Sequence, residues 1–276
     1  MVKDNVVRAT FARLAKVATL GFKTGAFLSV GLVATAQVSQ AQTVYYRNSG
    51  GQATTTERDY SYSTWATSSF IGSGYIQSEA NQNQAYAYWK YTRGGFQVAK
   101  GLRAIPEGPD QLWYVSVNDM VYTDGKGIAT FDQRLNVRSI APGAQIWTGV
   151  QGWLQGIEYY VVENLDRGAL GIPESAKVGS VTIDGAAYDL YTRPYNTWRQ
   201  WWSVRRVKRT SGTVNYVKHF KAWQGVTVPG VTNLVNNAAT KLPNLSLLSV
   251  SLGVETYGPS EASIWWQTSS ITKPYN

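Results

Sequence analysis

Gly156-Ile157-Glu158-Tyr159-Tyr160-Val161-Val162-Glu163-Asn164 is a run of β-branched and aromatic residues with a carboxylate set near its start. Such a run, bounded by Gly and Asn, reads as a strand. Side chains alternate along a strand, so Glu158, Tyr160 and Val162 share one face while Glu163 points to the other. A second run, Val254-Glu255-Thr256-Tyr257, puts Glu255 and Tyr257 on one face, 97 positions beyond Glu158. An acid beside an aromatic suggests a sugar site. Cleavage of a glycosidic bond with retention needs two carboxyl groups roughly 5–5.5 Å apart, one attacking the anomeric carbon and one handling protons. Each run offers one.

Outward from these segments, short alternating stretches rich in Tyr, Val, Thr and Trp recur from Tyr45 to Gln267, punctuated by Gly, Asn and Asp. They predict strands at Tyr60 to Ala66, Ala85 to Lys90, Leu112 to Val117, Ile157 to Val162, Lys177 to Ile183, Tyr188 to Arg193, Trp198 to Arg205 and Leu247 to Glu255. So many strands exceed one flat sheet. The expected fold is all-β, a two-sheet curved jelly-roll sandwich with one short helix and a concave cleft. The helix falls at Val217 to Gln224, where Val217 and Phe220 recur at helical spacing. Gln42 to Arg58 reads as an edge strand or a loose arm.

The first 41 residues carry Lys3, Arg8, Arg13, Lys16 and Lys23, then an apolar run from Gly25 to Ala36, then Ser39-Gln40-Ala41. That is the pattern of a long secretory signal peptide, cleaved after Ala41 or, second, after Ala36. Residues 42–276 then form one β domain. Export to the medium (secreted) or to the periplasm is expected. No later stretch approaches the ~20 apolar residues of a membrane span, so no membrane association is expected. The chain has no Cys, so neither disulfides nor thiolate metal sites are available. The formal charge of +9 falls to about +5 without the leader, whose five cations face only Asp4. Arg205-Arg206-Val207-Lys208-Arg209 reads as the two faces of a strand end rather than a polyanion patch, since no nucleic-acid motif accompanies it.

The two glutamate runs resemble the family-eleven glycoside hydrolases, endo-1,4-β-xylanases with a Glu-Tyr-Tyr strand and a Glu-Gly-Tyr strand. Further blocks follow the family's order: Ala85-Tyr86-Ala87-Tyr88-Trp89, Gly95-Phe96-Gln97-Val98-Ala99-Lys100-Gly101, Lys177-Val178-Gly179-Ser180-Val181, Asp184-Gly185, Tyr188-Asp189-Leu190-Tyr191, Gln200-Trp201-Trp202-Ser203-Val204-Arg205 and His219-Phe220-Lys221-Ala222-Trp223. The resemblance implies Glu158 as nucleophile and Glu255 as acid/base. It also implies a substrate-binding set of Trp65, Trp147, Tyr160, Arg193, Gln200, Trp202 and Tyr257. Trp65 matches a Trp that stacks on the sugar at the non-reducing side. Trp147 stands at a cleft-tyrosine position, and Arg193 at the base of the thumb hairpin. His219, the only histidine, is implied to be structural and bonded to Ser203. Glu163 and Asp189 read as structural. The partner is xylan or a related β-1,4-linked polysaccharide; no cofactor, metal or nucleic acid is expected, and the protein is expected to be a monomer.

Four features depart from the family pattern. Only Thr192 to Arg199 joins the two strands that normally carry a long thumb, with Arg193-Pro194-Tyr195-Asn196 as the turn, so a more open cleft is expected. Gln151 stands where a tyrosine bonds the nucleophile. Gly95 stands where Asn or Asp adjoins the acid/base, so solvent or a neighbour must substitute. Thr256 replaces a glycine and is expected to crowd the site. Two regions look inserted, a hairpin-like Gln111 to Phe131 with Asp124-Gly125 as its turn and a loop from Val226 to Asn244. These departures keep a second reading open, a catalytically weak or inactive polysaccharide-binding protein of the same fold; a cell-surface adhesion β-protein is a third.

Overall fold

The alternation is realised as fifteen strands among the described residues (44–47, 49–57, 60–79, 81–103, 115–228 and 244–275) of the computed structural model. They are β1 (Val44–Arg47), β2 (Gly51–Glu57), β3 (Tyr60–Ala66), β4 (Ile71–Ser78), β5 (Ala85–Arg93), β6 (Gly95–Arg103), β7 (Ile128–Ile140) and β8 (Gln145–Leu154). Then follow β9 (Ile157–Arg167), β10 (Lys177–Ile183), β11 (Ala186–Tyr195), β12 (Trp198–Arg205), β13 (Ser211–Asn215), β14 (Leu247–Tyr257) and β15 (Ser260–Ile271). The leader and residues 229–243 of the second inserted loop lie outside the described residues.

Two sheets form, in the orders β1-β4-β5-β15-β7-β13 and β10-β11-β12-β9-β8-β14-β6-β3-β2. Neighbours run antiparallel except β9 and β12, which are parallel and pair Glu158 with Gln200. Gln42 to Arg58 thus supplies an edge strand to each sheet. The sheets meet through aromatic side chains: Phe96 of the larger sheet lies 6.4 Å from Trp89 of the smaller. Gly74 makes this approach feasible, since a Cβ there would stand 2.3 Å from Phe96 Cζ.

The helix α1 (Tyr216–Gln224) begins where the Asn215 side chain accepts a hydrogen bond from the Lys218 amide at 3.1 Å. It buries Phe220 and Trp223 against the larger sheet, where Tyr159 meets Phe220 at 4.7 Å and Trp201 meets Trp223 at 5.8 Å. This contact decides the sidedness of the site. With Tyr159 and Trp201 turned toward the helix, their neighbours Glu158, Tyr160, Gln200 and Trp202 must face the other way.

Some expectations are corrected. Of Leu112 to Val117, residues 112–114 lie outside the described set, and Val117 opens a 3-10 turn, Val117–Asp119, instead of ending a strand. Asp124-Gly125 does turn, with φ of 54° and 75°, but no strand precedes it between 117 and 127. Strand β11 runs on through Pro194 to Tyr195, which pairs with Trp198, so the tight turn is Asn196-Thr197. Ser203 Oγ accepts from Trp223 Nε1 at 3.0 Å, not from His219, whose ring stands edge-on to Tyr188 at 4.7 Å. Burial and the nearby Arg209 and Arg205 push the His219 pKa down to about 3, so it stays neutral.

Glu163 faces the interior, where it takes hydrogen bonds from Tyr188 (2.7 Å) and Arg209 and lies 3.7 Å from Arg205. Asp189 pairs with Lys177 and Arg206. Three of the four cations in the basic cluster are therefore paired, Arg205 and Arg209 with the buried Glu163 and Arg206 with the partly exposed Asp189. Among the described residues no helix is long and apolar enough to cross a membrane.

Candidate active site

The outward face of the larger sheet forms a cleft of about 410 Å³ whose lining includes Gln97, Gln151, Trp153, Glu158, Tyr160 and Ser251. Glu158 lies near the start of β9, opposite Trp153 of β8 and beside Gln200 of β12. Its Oε2 accepts from Gln200 Nε2 at 2.7 Å and from Trp198 Nε1 at 3.0 Å. Arg193 fixes Gln200 in turn, donating through Nε to Gln200 Oε1 at 2.8 Å. Amide rotation is thereby restricted, and the glutamine is obliged to present its N–H₂ to the carboxylate. A carboxylate held by two donors on one oxygen is fixed in orientation.

Glu255 is only 3% exposed. It pairs laterally with Gln97 of β6 and Trp147 of β8, and Gln97 Nε2 donates to its Oε2 at 3.0 Å. Its pKa is pushed up to about 8, first by burial and second by the negative charge of Glu158. Hydrogen bonds from Tyr257 and Gln97 and the charge of Arg193 oppose that rise. At neutral pH Glu255 therefore carries a proton it can donate.

Tyr160 lies in the electrostatic field of both carboxylates and interacts directly with Glu158, and burial raises its pKa well above the usual phenol value. The ring stacks on Trp202 at 3.8 Å and meets the edge of Trp147 at 4.9 Å. Trp147 and Trp202 are 1% and 3% exposed, in a cluster packed against Leu170 and Ile172. The face on which they were expected to receive sugar is thus occupied by the chain itself, and the expected opening of the cleft is not realised on that side. Trp65 is half-buried and pairs with Gln97 in the row of Glu255. Tyr257, 36% exposed, adjoins Glu255 at the end of β14.

Two residues of the site were missed. Gln97 lies within the Gly95 to Gly101 block, where alternation alone puts it on the face of Gly95, two residues along the strand. Trp198 stands two residues before Gln200 and so shares its face. Together they answer two of the departures. Trp198 donates to Glu158 while Gln151 makes no hydrogen bond to it, and Gln97 substitutes for the missing side chain at Gly95. Gly95 has its own reason: a Cβ there would lie 2.7 Å from Tyr257 Cδ1. The crowding expected of Thr256 does not occur, because Thr256 points inward and shares a 2.5 Å hydrogen bond with Tyr91.

Comparison with known proteins agrees with this architecture. The profile of the family described as "Glycosyl hydrolases family 11" matches residues 81–235. An ethylene-inducing xylanase of Penicillium digitatum is 35% identical over 161 residues, which cover 53% of this chain and 71% of the relative. Endo-1,4-beta-xylanase 11A of Botryotinia fuckeliana is 34% identical over 197 residues, 66% of this chain and 73% of that one. The structure of the family 11 xylanase from Neocallimastix patriciarum superposes with a TM-score of 0.62 at 22% identity, covering 83% of this chain and 98% of the other, which supports the jelly-roll fold. The chain is a member of glycosyl hydrolase family 11.

Proposed function

We propose that this protein is a retaining endo-1,4-β-xylanase acting by double displacement. Glu158 attacks the anomeric carbon while Glu255 gives its proton to the departing oxygen, so the glycosidic bond breaks as the ester bond forms. Esterification removes the negative charge of Glu158. The second cause of the raised pKa at Glu255 is then gone, and Glu255 can take a proton from water as that water attacks the anomeric carbon and the bond to Glu158 breaks, which frees its carboxylate. Gln200, Trp198 and Gln97 orient the carboxylates; Arg193, Tyr160, Tyr257 and Trp65 are the proposed contacts with sugar.

The observation that carries this reading is the contrast between a two-donor carboxylate at Glu158 and a buried, protonated Glu255 sensing its charge. Intact mass after incubation with a 2-fluoro-xylobioside is the direct test. A single adduct mapped to Glu158 is expected, whereas an unmodified protein that also frees no reducing sugar from xylan removes the enzyme reading. The covering of Trp147 and Trp202 favours one second reading, a binding protein of low turnover. Equal xylan affinity of wild type and Glu158→Gln, without hydrolysis by either, distinguishes it. Residues 1–41 are proposed as a cleaved leader and 42–276 as one exported domain, which N-terminal sequencing of secreted protein checks.

A further inference from the structure

The segment 168–173, between β9 and the turn that precedes β10, crosses the aromatic half of the cleft face. It bends at Gly168 and Gly171, whose φ angles of 71° and 63° lie in the left-handed region. At one side Gly168 rests against the start of β8 and the residue before it, where a Cβ would meet Ala144 O at 2.7 Å and Gln145 Cγ at 3.1 Å. At the other, Arg193 Nη1 donates to Gly171 O at 2.9 Å. Leu170, between these anchors, and Ile172, just after the second, pack on the cluster of Trp147, Tyr160 and Trp202.

What lies beneath is built for something other than two aliphatic side chains. Three large rings meet on neighbouring strands, Tyr160 stacked on Trp202 and Trp147 edge-on to both, and together form an apolar patch of the kind that pyranose C–H faces cover. The floor also contains an unmet polar need, since Trp202 Nε1 is buried with no hydrogen-bond partner among the described residues. A buried donor is costly to leave unpaired, and a sugar hydroxyl would satisfy it where Leu170 and Ile172 cannot. The strap is coupled to the reaction centre as well: Arg193, which holds Gly171 O, also holds Gln200, which holds Glu158.

We propose that the strap 168–173 is the chain-length determinant of the site, with Leu170 and Ile172 occupying the floor that a long β-1,4-linked chain needs on one side of the bond cut. This rests on the xylanase reading. An oligosaccharide short enough for the open 410 Å³ of the cleft binds with the strap in place. A polymer crossing the whole face has to displace it, losing the packing of two aliphatic side chains and gaining ring stacking and the Trp202 hydrogen bond. Wild type therefore favours short oligosaccharides over polymer relative to a protein without the strap's side chains.

The test compares kcat/KM on xylotriose and on soluble polymeric xylan for wild type and Leu170→Gly/Ile172→Gly. The variant is expected to raise the polymer-to-xylotriose ratio about tenfold or more. An unchanged ratio in a variant with wild-type thermal unfolding overturns the proposal. Should the double variant fail to fold, the single variants Leu170→Ala and Ile172→Ala decide by the same ratio, which is expected to rise in each. An unchanged ratio in both overturns it. Wild type hydrolysing neither substrate would instead remove the xylanase reading, so the two failures are distinguishable.

Discussion

Gln97→Met tests the electrostatic argument most sharply, because it removes one donor from Glu255 while conserving volume. In the native site Gln97 Nε2 donates to Glu255 Oε2 at 3.0 Å and opposes the rise in its pKa. A hydrogen bond to a charged group is worth about 1.5–3 kcal/mol, and one pKa unit corresponds to about 1.36 kcal/mol. The full loss would thus raise the pKa by roughly one to two units. Gln97 is half-exposed and lines the cleft, so water replaces part of what it gave, and a shift near one unit is the expected magnitude. The sign follows from the role. In the proposed mechanism Glu255 works protonated in the first step, so activity is expected to fall as pH rises through its pKa of about 8, and a higher pKa carries the alkaline limb upward. The assay is the pH profile of kcat/KM on a xylo-oligosaccharide with a poor leaving group. A limb that stays put or moves down, or a change confined to KM without a pH signature, refutes the assignment of Gln97 as the positioning residue of Glu255.

Glu158→Gln removes the second cause of the raised Glu255 pKa but not the first, burial. Titration of the ¹³C-labelled carboxyls by NMR is expected to show Glu255 below about 8 yet still above 4.5, and an unaltered value would mean the two carboxylates are not coupled. Gly95→Asn restores the family's side chain but sets a Cβ 2.7 Å from the Tyr257 ring. Displacing Tyr257 from Glu255 is expected to lower kcat about tenfold, near the value of one lost hydrogen bond; a faster enzyme would contradict the geometry. Glu163→Gln leaves Arg209 and Arg205 without their buried anion. The expected loss is about 3 kcal/mol, the low end for a broken buried pair because both arginines are partly exposed. It is read as a lower urea midpoint with kcat at 25 °C unchanged, and a loss below about 1 kcal/mol would show the network to be dispensable.

Much of the framework was legible because strand periodicity is a local property. Lys177 to Ile183 and Trp198 to Arg205 begin and end where alternation predicts, and the helix at Val217 to Gln224 gains only Tyr216. The facing of Glu158 and Glu255 followed from the same period of two. What could not be read was lateral. Whether Gln97 reaches Glu255 depends on the register of β6 against β14, and whether Trp198 reaches Glu158 depends on a parallel pairing of strands 40 residues apart. Neither is written in the spacing of residues along one strand. The segment 168–173 escaped for a related reason: with two glycines and a proline it shows no period, so its place over Trp147 and Trp202 is visible only in three dimensions.

These lateral contacts explain how the site tolerates its departures from the family pattern. A carboxylate on an outward sheet face has neighbours in its own row and in the rows on either side, all within reach of a long side chain. Loss of the expected tyrosine at Gln151 removes a donor from the row of Tyr160. The indole of Trp198, reaching from β12, supplies a donor from another direction. At the acid the substitution is along the strand: Gly95 gives up its side chain to make room for the Tyr257 ring, and Gln97, two residues on and on the same face, donates instead. In both cases a donor reaches the carboxylate from a neighbouring position. The proposed retaining hydrolysis needs both carboxylates oriented and Glu255 able to hold its proton. The shortened hairpin at Asn196-Thr197 affects neither, since Arg193, Trp198 and Gln200 all lie on the strands that flank it and remain in register. Losing the thumb should therefore alter how the polymer is held far more than the protonation states at the bond being cut.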